Sequence, residues 1–300
     1  MKTNTTTMDA GPDFICIGAE KAGTTWLYDN IRHHPDVWLP PKPFKELHYF
    51  DDKTPNKHLL YIGKFNHGGF LRKCSPLLRS PTVETLRWLW RFTHNRNDSM
   101  NWYRSLFTKP DKICGDITPL YCTMDERGVE YTRKVVGNKC KVILILRNPI
   151  ERSWSSVKML YRYRNIDIQK CDASEIIAEL RLPFMALKSD YSRMIKLWRT
   201  HFDEDMFQVF FFDDLINDSE TFLLDICQFI GIDANEWRPP NLAKATNKDK
   251  AEIAIPEDIK LQLATHFLTE LEDLNKLFGG HTTTWLNKAK ETINSTSLHP

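Results

Sequence analysis

The stretch Phe14-Ile-Cys-Ile-Gly18-Ala-Glu-Lys21-Ala-Gly23-Thr24-Thr25-Trp26-Leu27 constrains the fold most, because an apolar run passes into a glycine-bearing loop that opens a helix. A helix start presents unbonded backbone N–H groups and the positive end of the helix dipole, so such a loop receives an anion. Lys21 adds a full positive charge. A nucleoside triphosphate loop reads Gly-x-x-x-x-Gly-Lys-Ser/Thr, with its lysine after the second glycine. Gly18 and Gly23 keep that glycine spacing, yet Thr24 fills the lysine's position and Lys21 comes earlier. The residue order disfavours a nucleoside triphosphatase.

A second junction of this kind begins at Lys141-Val-Ile-Leu-Ile-Leu146, a short β-branched run suited to a strand buried on both faces. Asn148 suits an N-cap and Pro149 the first helical position, which predicts a helix running through Ser153, Trp154 and Ser155. Arg147 then stands at a strand's carboxyl end, where open α/β sheets place ligands. A guanidinium fork and the Ser155 hydroxyl can hold a phosphate dianion through charge-assisted bonds. The alternative is that Arg147 pairs with Glu151 and Ser155 is a helix-surface residue.

Ile15, Ile17, Val142, Ile143, Ile145 and Phe207-Gln-Val-Phe-Phe-Phe212 supply short strand candidates with helical patterns between them. That alternation predicts an α/β fold, a single domain with a central parallel sheet flanked by helices. Met194–Trp198 and Thr221–Ile230 read as amphipathic helices, the second entered near Ser219 and stopped by Gly231. Three hundred residues, 41% of them hydrophobic, suffice for one large domain over 13–300 behind a flexible N-terminus at 1–12. Met1 to Pro12 has no apolar core of signal-peptide type and no stretch approaches a membrane span, so the expected location is cytoplasmic. Seven cysteines without a Cys-x-x-Cys pair predict reduced, mostly buried thiols, and no His-Glu-x-x-His occurs, so no metal is expected.

Lys21-x-Gly23-Thr24-Thr25-Trp26-Leu27 resembles the 5′-phosphosulfate loop of sulfotransferases that use 3′-phosphoadenosine 5′-phosphosulfate (PAPS). Arg147 followed eight residues later by Ser155 is similar to the 3′-phosphate motif of the same family. The resemblance implies a P-loop-like sulfotransferase fold, with PAPS as co-substrate and 3′-phosphoadenosine 5′-phosphate (PAP) as product. It places Lys21, Ala22, Gly23, Thr24, Thr25 and Trp26 at the 5′ end of the nucleotide, and Arg147 and Ser155 at the 3′-phosphate. Lys21 would stabilise the bridging oxygen as the sulfur–oxygen bond breaks. Trp26 either stacks on adenine, as the equivalent tryptophan does in cytosolic members, or packs in the core.

An acceptor hydroxyl or amine must lose its proton to a group within hydrogen-bond reach. Lys45-Glu46-Leu47-His48-Tyr49-Phe50-Asp51 offers an acid and an imidazole two residues apart, which share one face of an extended segment while Leu47 and Tyr49 face the other way. This stretch resembles the Glu-x-His-Phe-Phe-Asp segment of heparan sulfate sulfotransferases, where that glutamate is the catalytic base. The resemblance makes Glu46 the base, with His48 as orienter or alternative base; the bland reading is an edge strand whose Glu46 and His48 face solvent. Asn101-Trp-Tyr-Arg-Ser-Leu-Phe107 and Cys114-Gly-Asp116-Ile-Thr118-Pro119-Leu-Tyr121 also resemble family segments. Carbohydrate sulfotransferases often carry a lysine where this chain has Ile117, so a lysine role there would pass to Lys42 or Lys45. Asp116 either structures the acceptor site or caps a turn. Thr246-Asn247-Lys248 falls where relatives close a loop over the nucleotide.

The formal net charge is +2, but residues 53–98 carry +7 and the remainder −5. Tyr61, Phe65, Phe70, Trp88, Trp90 and Phe92 interleave with those bases, and the segment reads as an insertion. It would bind an anionic acceptor, an acidic carrier protein or a membrane surface, or else is a solvated basic face over aromatic core. The expected acceptor is a sugar, a glycolipid or another small molecule or lipid, with no nucleic acid partner; the oligomeric state stays open. Two alternatives remain: a P-loop-like nucleotide kinase, which needs a strand-end aspartate for which Asp213 is a weak candidate, and a non-catalytic nucleotide-binding protein.

Overall fold

The apolar runs around Ile15 and Ile143 become neighbouring strands at the centre of a parallel sheet. The computed structural model describes residues 11–42, 44–51, 82–94, 99–109, 111–234, 237–239, 242 and 253–297. Among them, β1 (Phe14–Gly18), β2 (Val37–Trp38), β3 (Ile113–Ile117), β4 (Lys141–Leu146) and β5 (Phe207–Phe211) pair in the order β2-β3-β1-β4-β5, all parallel. α1 (Thr24–Ile31) follows β1, α2 (Val83–His94) and α3 (Met100–Ser105) precede β3, and α4 (Glu126–Val136) precedes β4. Between β4 and β5 come α5 (Pro149–Tyr163), α6 (Ala173–Leu180), α7 (Pro183–Leu187) and α8 (Tyr191–Arg199). After β5 follow α9 (Phe212–Asn217), α10 (Ser219–Phe229), α11 (Glu257–Phe278) and α12 (His281–Ser297). This is the expected helix-flanked α/β sheet.

Every residue of β1 is buried, as a strand covered by helices on both faces requires. From β1 the chain runs through α1 to the edge strand β2, whereas from β4 it runs toward β5 at the opposite edge. The two connections diverge and leave a crevice at the carboxyl ends of β1 and β4. Pairing between these strands shifts register between Cys16 and Gly18, and Ala19 N–H still reaches the Ile145 carbonyl at 2.8 Å.

β3 carries Gly115 and Asp116, residue types that strands disfavour. Gly115 is required because a β-carbon there would fall 2.2 Å from the Phe14 ring. α5 starts as its sequence predicts: Asn148 Oδ1 accepts from Ile150 N–H at 3.0 Å and Pro149 takes the first helical position. α10 is capped by Asp218, whose Oδ1 accepts from the Glu220 and Thr221 N–H groups, one residue before the expected start. The expected strand through Phe212 ends at Phe211, and Phe212 opens α9.

α11 buries Leu263, Phe267, Leu271 and Leu274, and α12 packs along it. Two side-chain bonds anchor α12 to α9: the Trp285 indole donates to Asp213 Oδ1 at 3.0 Å, and His281 Nε2 lies 2.6 Å from Asp214 Oδ1. Cys16, Cys114, Cys122, Cys140 and Cys227 are buried free thiols and Cys171 a half-buried one. No helix among the described residues is long and apolar enough to cross a membrane.

Of the segment expected to be flexible, residues 11 and 12 are described, and Pro12 is buried. Of the basic segment 53–98, only 82–94 is described. There α2 turns Trp88, Leu89 and Phe92 into the core and leaves Trp90 54% exposed. Thr246-Asn247-Lys248 lies outside the described residues.

Candidate active site

A cavity of about 1040 Å³ opens at the carboxyl ends of β1 and β4. Lys21, Gly23, Thr24, Thr25 and Trp26 line it from the loop after β1, Arg147 and Ser155 line it from the junction after β4, and Glu46 faces it from the segment after β2. Ala22 is brought to the loop but is fully buried, and its N–H closes a turn onto the Ala19 carbonyl at 3.2 Å. Gly23 adopts φ 91, and a β-carbon there would fall 2.7 Å from Leu215 Cδ2. Its bare α-carbon therefore serves the close approach of α9.

Trp26 is buried, meets Phe222 edge to face at 6.0 Å between ring centroids, and donates through Nε1 to the Leu242 carbonyl at 3.4 Å. It packs in the core and also borders the cavity. Arg147 joins the loops that follow β1 and β4, since its Nη1 donates to the Lys21 carbonyl at 3.2 Å. Its Nη2 also pairs with Glu151 at 3.3 Å, so the cavity position and the expected alternative partner coexist. The guanidinium lies 4.7 Å above the Phe212 ring, and Nε is buried with no hydrogen-bond partner.

Residues 44–51 form no strand, so the expected pleat does not explain how Glu46 and His48 meet. The chain instead hangs from two hydroxyls. Leu47 N–H donates to Thr118 Oγ1 at 3.0 Å, and Tyr49 N–H donates to Tyr121 Oη at 3.1 Å. Between these anchors His48 takes φ 51, which turns its imidazole to within 3.5 Å of Glu46 while Leu47 and Tyr49 stay buried. Both hydroxyls are oriented by the fully buried Asp116, which accepts from Thr118 Oγ1 at 2.7 Å, from Tyr121 Oη at 2.8 Å and from Tyr103 Oη at 2.9 Å. Asp116 thus anchors residues 44–51 through the two hydroxyls that hold Leu47 and Tyr49. Burial pushes its carboxyl up, against those hydrogen bonds, to about 6. Asp116→Ala would orphan three buried hydroxyls at roughly 1–3 kcal/mol each. A fall of several degrees in thermal midpoint is expected by calorimetry, with a smaller one for Asp116→Asn.

Burial pushes the Glu46 carboxyl up, but hydrogen bonds and charge from His48 and Lys45 outweigh it and hold the group at about 2. Burial likewise pushes His48 down, but Asp51 at 2.8 Å and Glu46 outweigh it and raise the imidazole to about 10. At neutral pH the pair is a carboxylate beside an imidazolium. His48 does not line the cavity; it stands behind Glu46. In an NMR titration its ring resonances are expected to stay at their charged positions between about pH 5 and pH 8, whereas an ordinary histidine titrates midway. A midpoint near 6.5 would mean that Asp51 and Glu46 do not hold the imidazole charged.

Of the two lysines considered in place of Ile117, Lys42 pairs with Asp29, while Lys45 Nζ donates to Thr25 Oγ1 at 2.9 Å and pairs with Glu46 at 2.8 Å. Lys45 therefore bridges the loop after β1 and the Glu46 carboxylate. Glu20, Lys158 and Met159 also line the cavity and were missed by the motif reading. The one available signal is spacing: Lys158 and Met159 follow Ser155 by three and four residues, on one helix face. Asp213, the strand-end aspartate a kinase would use, is bonded to the Trp285 indole and does not line the cavity.

A sulfotransferase domain is recognised over residues 11–252. The chain belongs to the sulfotransferase family. Among solved structures similar to this sulfotransferase, the sulfotransferase from Alicyclobacillus acidocaldarius is 20% identical, with a TM-score of 0.63 over 92% of this chain and 99% of that one. The sulfotransferase domain from the curacin biosynthetic pathway is 17% identical, with a TM-score of 0.53 over 82% of this chain and 81% of that one. The sulfotransferase domain from the Synechococcus PCC 7002 olefin synthase is 18% identical, with a TM-score of 0.52 over 86% and 95%. At these identities the likeness is one of fold. No match is found among curated proteins. The motif resemblance and the domain agree: the sulfotransferase is a transferase enzyme.

Proposed function

We propose that this sulfotransferase moves the sulfuryl group of PAPS to a hydroxyl or amine of a sugar, glycolipid or small metabolite, with Glu46 as general base. One observation carries the reading: a single cavity is lined by both phosphate loops and by a carboxylate ionised at neutral pH. Its volume of about 1040 Å³ is ample for a nucleotide, since ligand pockets span roughly 300–1,000 Å³. The buried Arg147 Nε without a partner is the kind of donor a phosphate satisfies.

Sulfuryl transfer, like phosphoryl transfer, asks the protein for alignment and for neutralising charge on the leaving phosphate. Arg147 and Ser155 would hold the 3′-phosphate, while the α1 N-terminus and Lys21 would hold the 5′-phosphate. As the acceptor oxygen bonds to sulfur, the bond from sulfur to the bridging oxygen breaks and its electron pair stays on PAP, where Lys21 meets the new charge. A carboxylate held at about 2 is a weak base toward an intact alcohol. Glu46 therefore takes the proton once bonding to sulfur has made it acidic.

Titration calorimetry with PAP tests the donor. Saturable binding is expected, together with transfer of labelled sulfate that persists in EDTA. A protein that ignores PAP would overturn the proposal.

A further inference from the structure

A second cavity, of about 550 Å³, adjoins the first, and Glu20, Leu120 and Met159 line both. Met159 faces both cavities, and its Sδ lies 3.9 Å from Lys21 Nζ. Beyond it the wall is mainly apolar, with Leu160 and Tyr163 of α5 and Leu182, Phe184 and Met185 in and before α7. The charges on this wall are already matched: Lys188 pairs with Glu20, and Arg164 grips Glu179 through two bonds, at 2.8 and 3.4 Å. Among the described lining residues, Ser156 brings the only side-chain hydroxyl besides that of Tyr163.

Tyr163 is 68% exposed and Leu182 47% exposed, although both line a cavity. Large apolar side chains left in water around a concave, apolar wall mark a place that something apolar covers. Continuity with the donor cavity says what that is. We infer that the acceptor is an alcohol with an apolar chain or ring body, which lies in this second cavity while its hydroxyl passes Met159 and Leu120 toward Glu46. A free sugar fits poorly, because its hydroxyls would be buried against a wall whose polar groups are already paired. The inference narrows the acceptor of the proposed reaction and rests on that reading.

The test uses n-alkanols from butanol to decanol as probes, with glucose as contrast, titrated calorimetrically into the full chain with and without saturating PAP. Affinity is expected to rise about fourfold per methylene until the cavity is full, and glucose to give no heat. Leu160→Trp fills the cavity and Leu182→Glu places a charge at its exposed mouth. Each is expected to weaken octanol binding at least about tenfold, with PAP affinity unchanged. Leu182→Glu, at an exposed position, keeps the test valid if Leu160→Trp misfolds. Octanol binding that is absent, independent of chain length or indifferent to Leu182→Glu would overturn the inference and leave the donor reading intact. Loss of PAP binding alone would strike the donor reading instead.

Discussion

Glu46→Gln is expected to lower kcat by about 10²- to 10⁴-fold while PAP affinity changes by less than about twofold, because general-base catalysis is lost and the nucleotide grips are not. The substitution keeps the size of the side chain and removes its charge. Lys45 keeps its bond to Thr25, and His48 keeps Asp51 at 2.8 Å, so the segment from Phe44 to Asp51 stays anchored. Steady-state kinetics with labelled PAPS, read beside calorimetry with PAP, separate the two quantities. Without the Glu46 charge, His48 loses one of the two carboxylates that raise it. Turnover that survives in Glu46→Gln with an acid limb would therefore assign the base to His48; equal loss of turnover and PAP affinity would mean that Glu46 supports the donor site.

Lys21→Ala is expected to act on both quantities. A preorganised charge aimed at a developing anion is worth about 10²- to 10³-fold in rate, and a charged hydrogen bond in the ground state adds about 1.5–3 kcal/mol of binding. Lys21 sits at φ 71, and alanine carries the same β-carbon, so backbone strain is equal in both proteins. Arg147 Nη1 bonds the Lys21 carbonyl, which the substitution retains. A fall in kcat/KM with a weaker PAP isotherm is the expected pair of results, and an unchanged kcat would remove Lys21 from the leaving-group role.

The parts of the site that obey local rules were legible in the sequence. The loop after β1 and the capped helix after Arg147 each depend on residues within a few positions of one another, so spacing alone located them. β3 was not legible, because Gly115 and Asp116 contradict strand propensity and are explained only by the Phe14 ring and by the hydroxyls of Thr118, Tyr121 and the more distant Tyr103. Glu46 and His48 were paired by alternation, yet they meet because His48 turns left-handed between two hydroxyl anchors. The second cavity has no motif at all. Its wall comes from α5, α6 and α7, and its apolar residues look in sequence like ordinary core positions.

The bond from Arg147 Nη1 to the Lys21 carbonyl, with Tyr191 Oη holding the Arg147 carbonyl at 2.9 Å, makes the two loops a single jaw. On the proposed reading, the ends of the donor are then gripped as a chelate. On that reading a ligand that engages the arginine would stiffen the lysine loop before the other end arrives. An adenylyl sulfate lacking its 3′-phosphate would forfeit this preorganisation as well as an ion pair, and donor choice would be enforced at a distance from the bond that breaks.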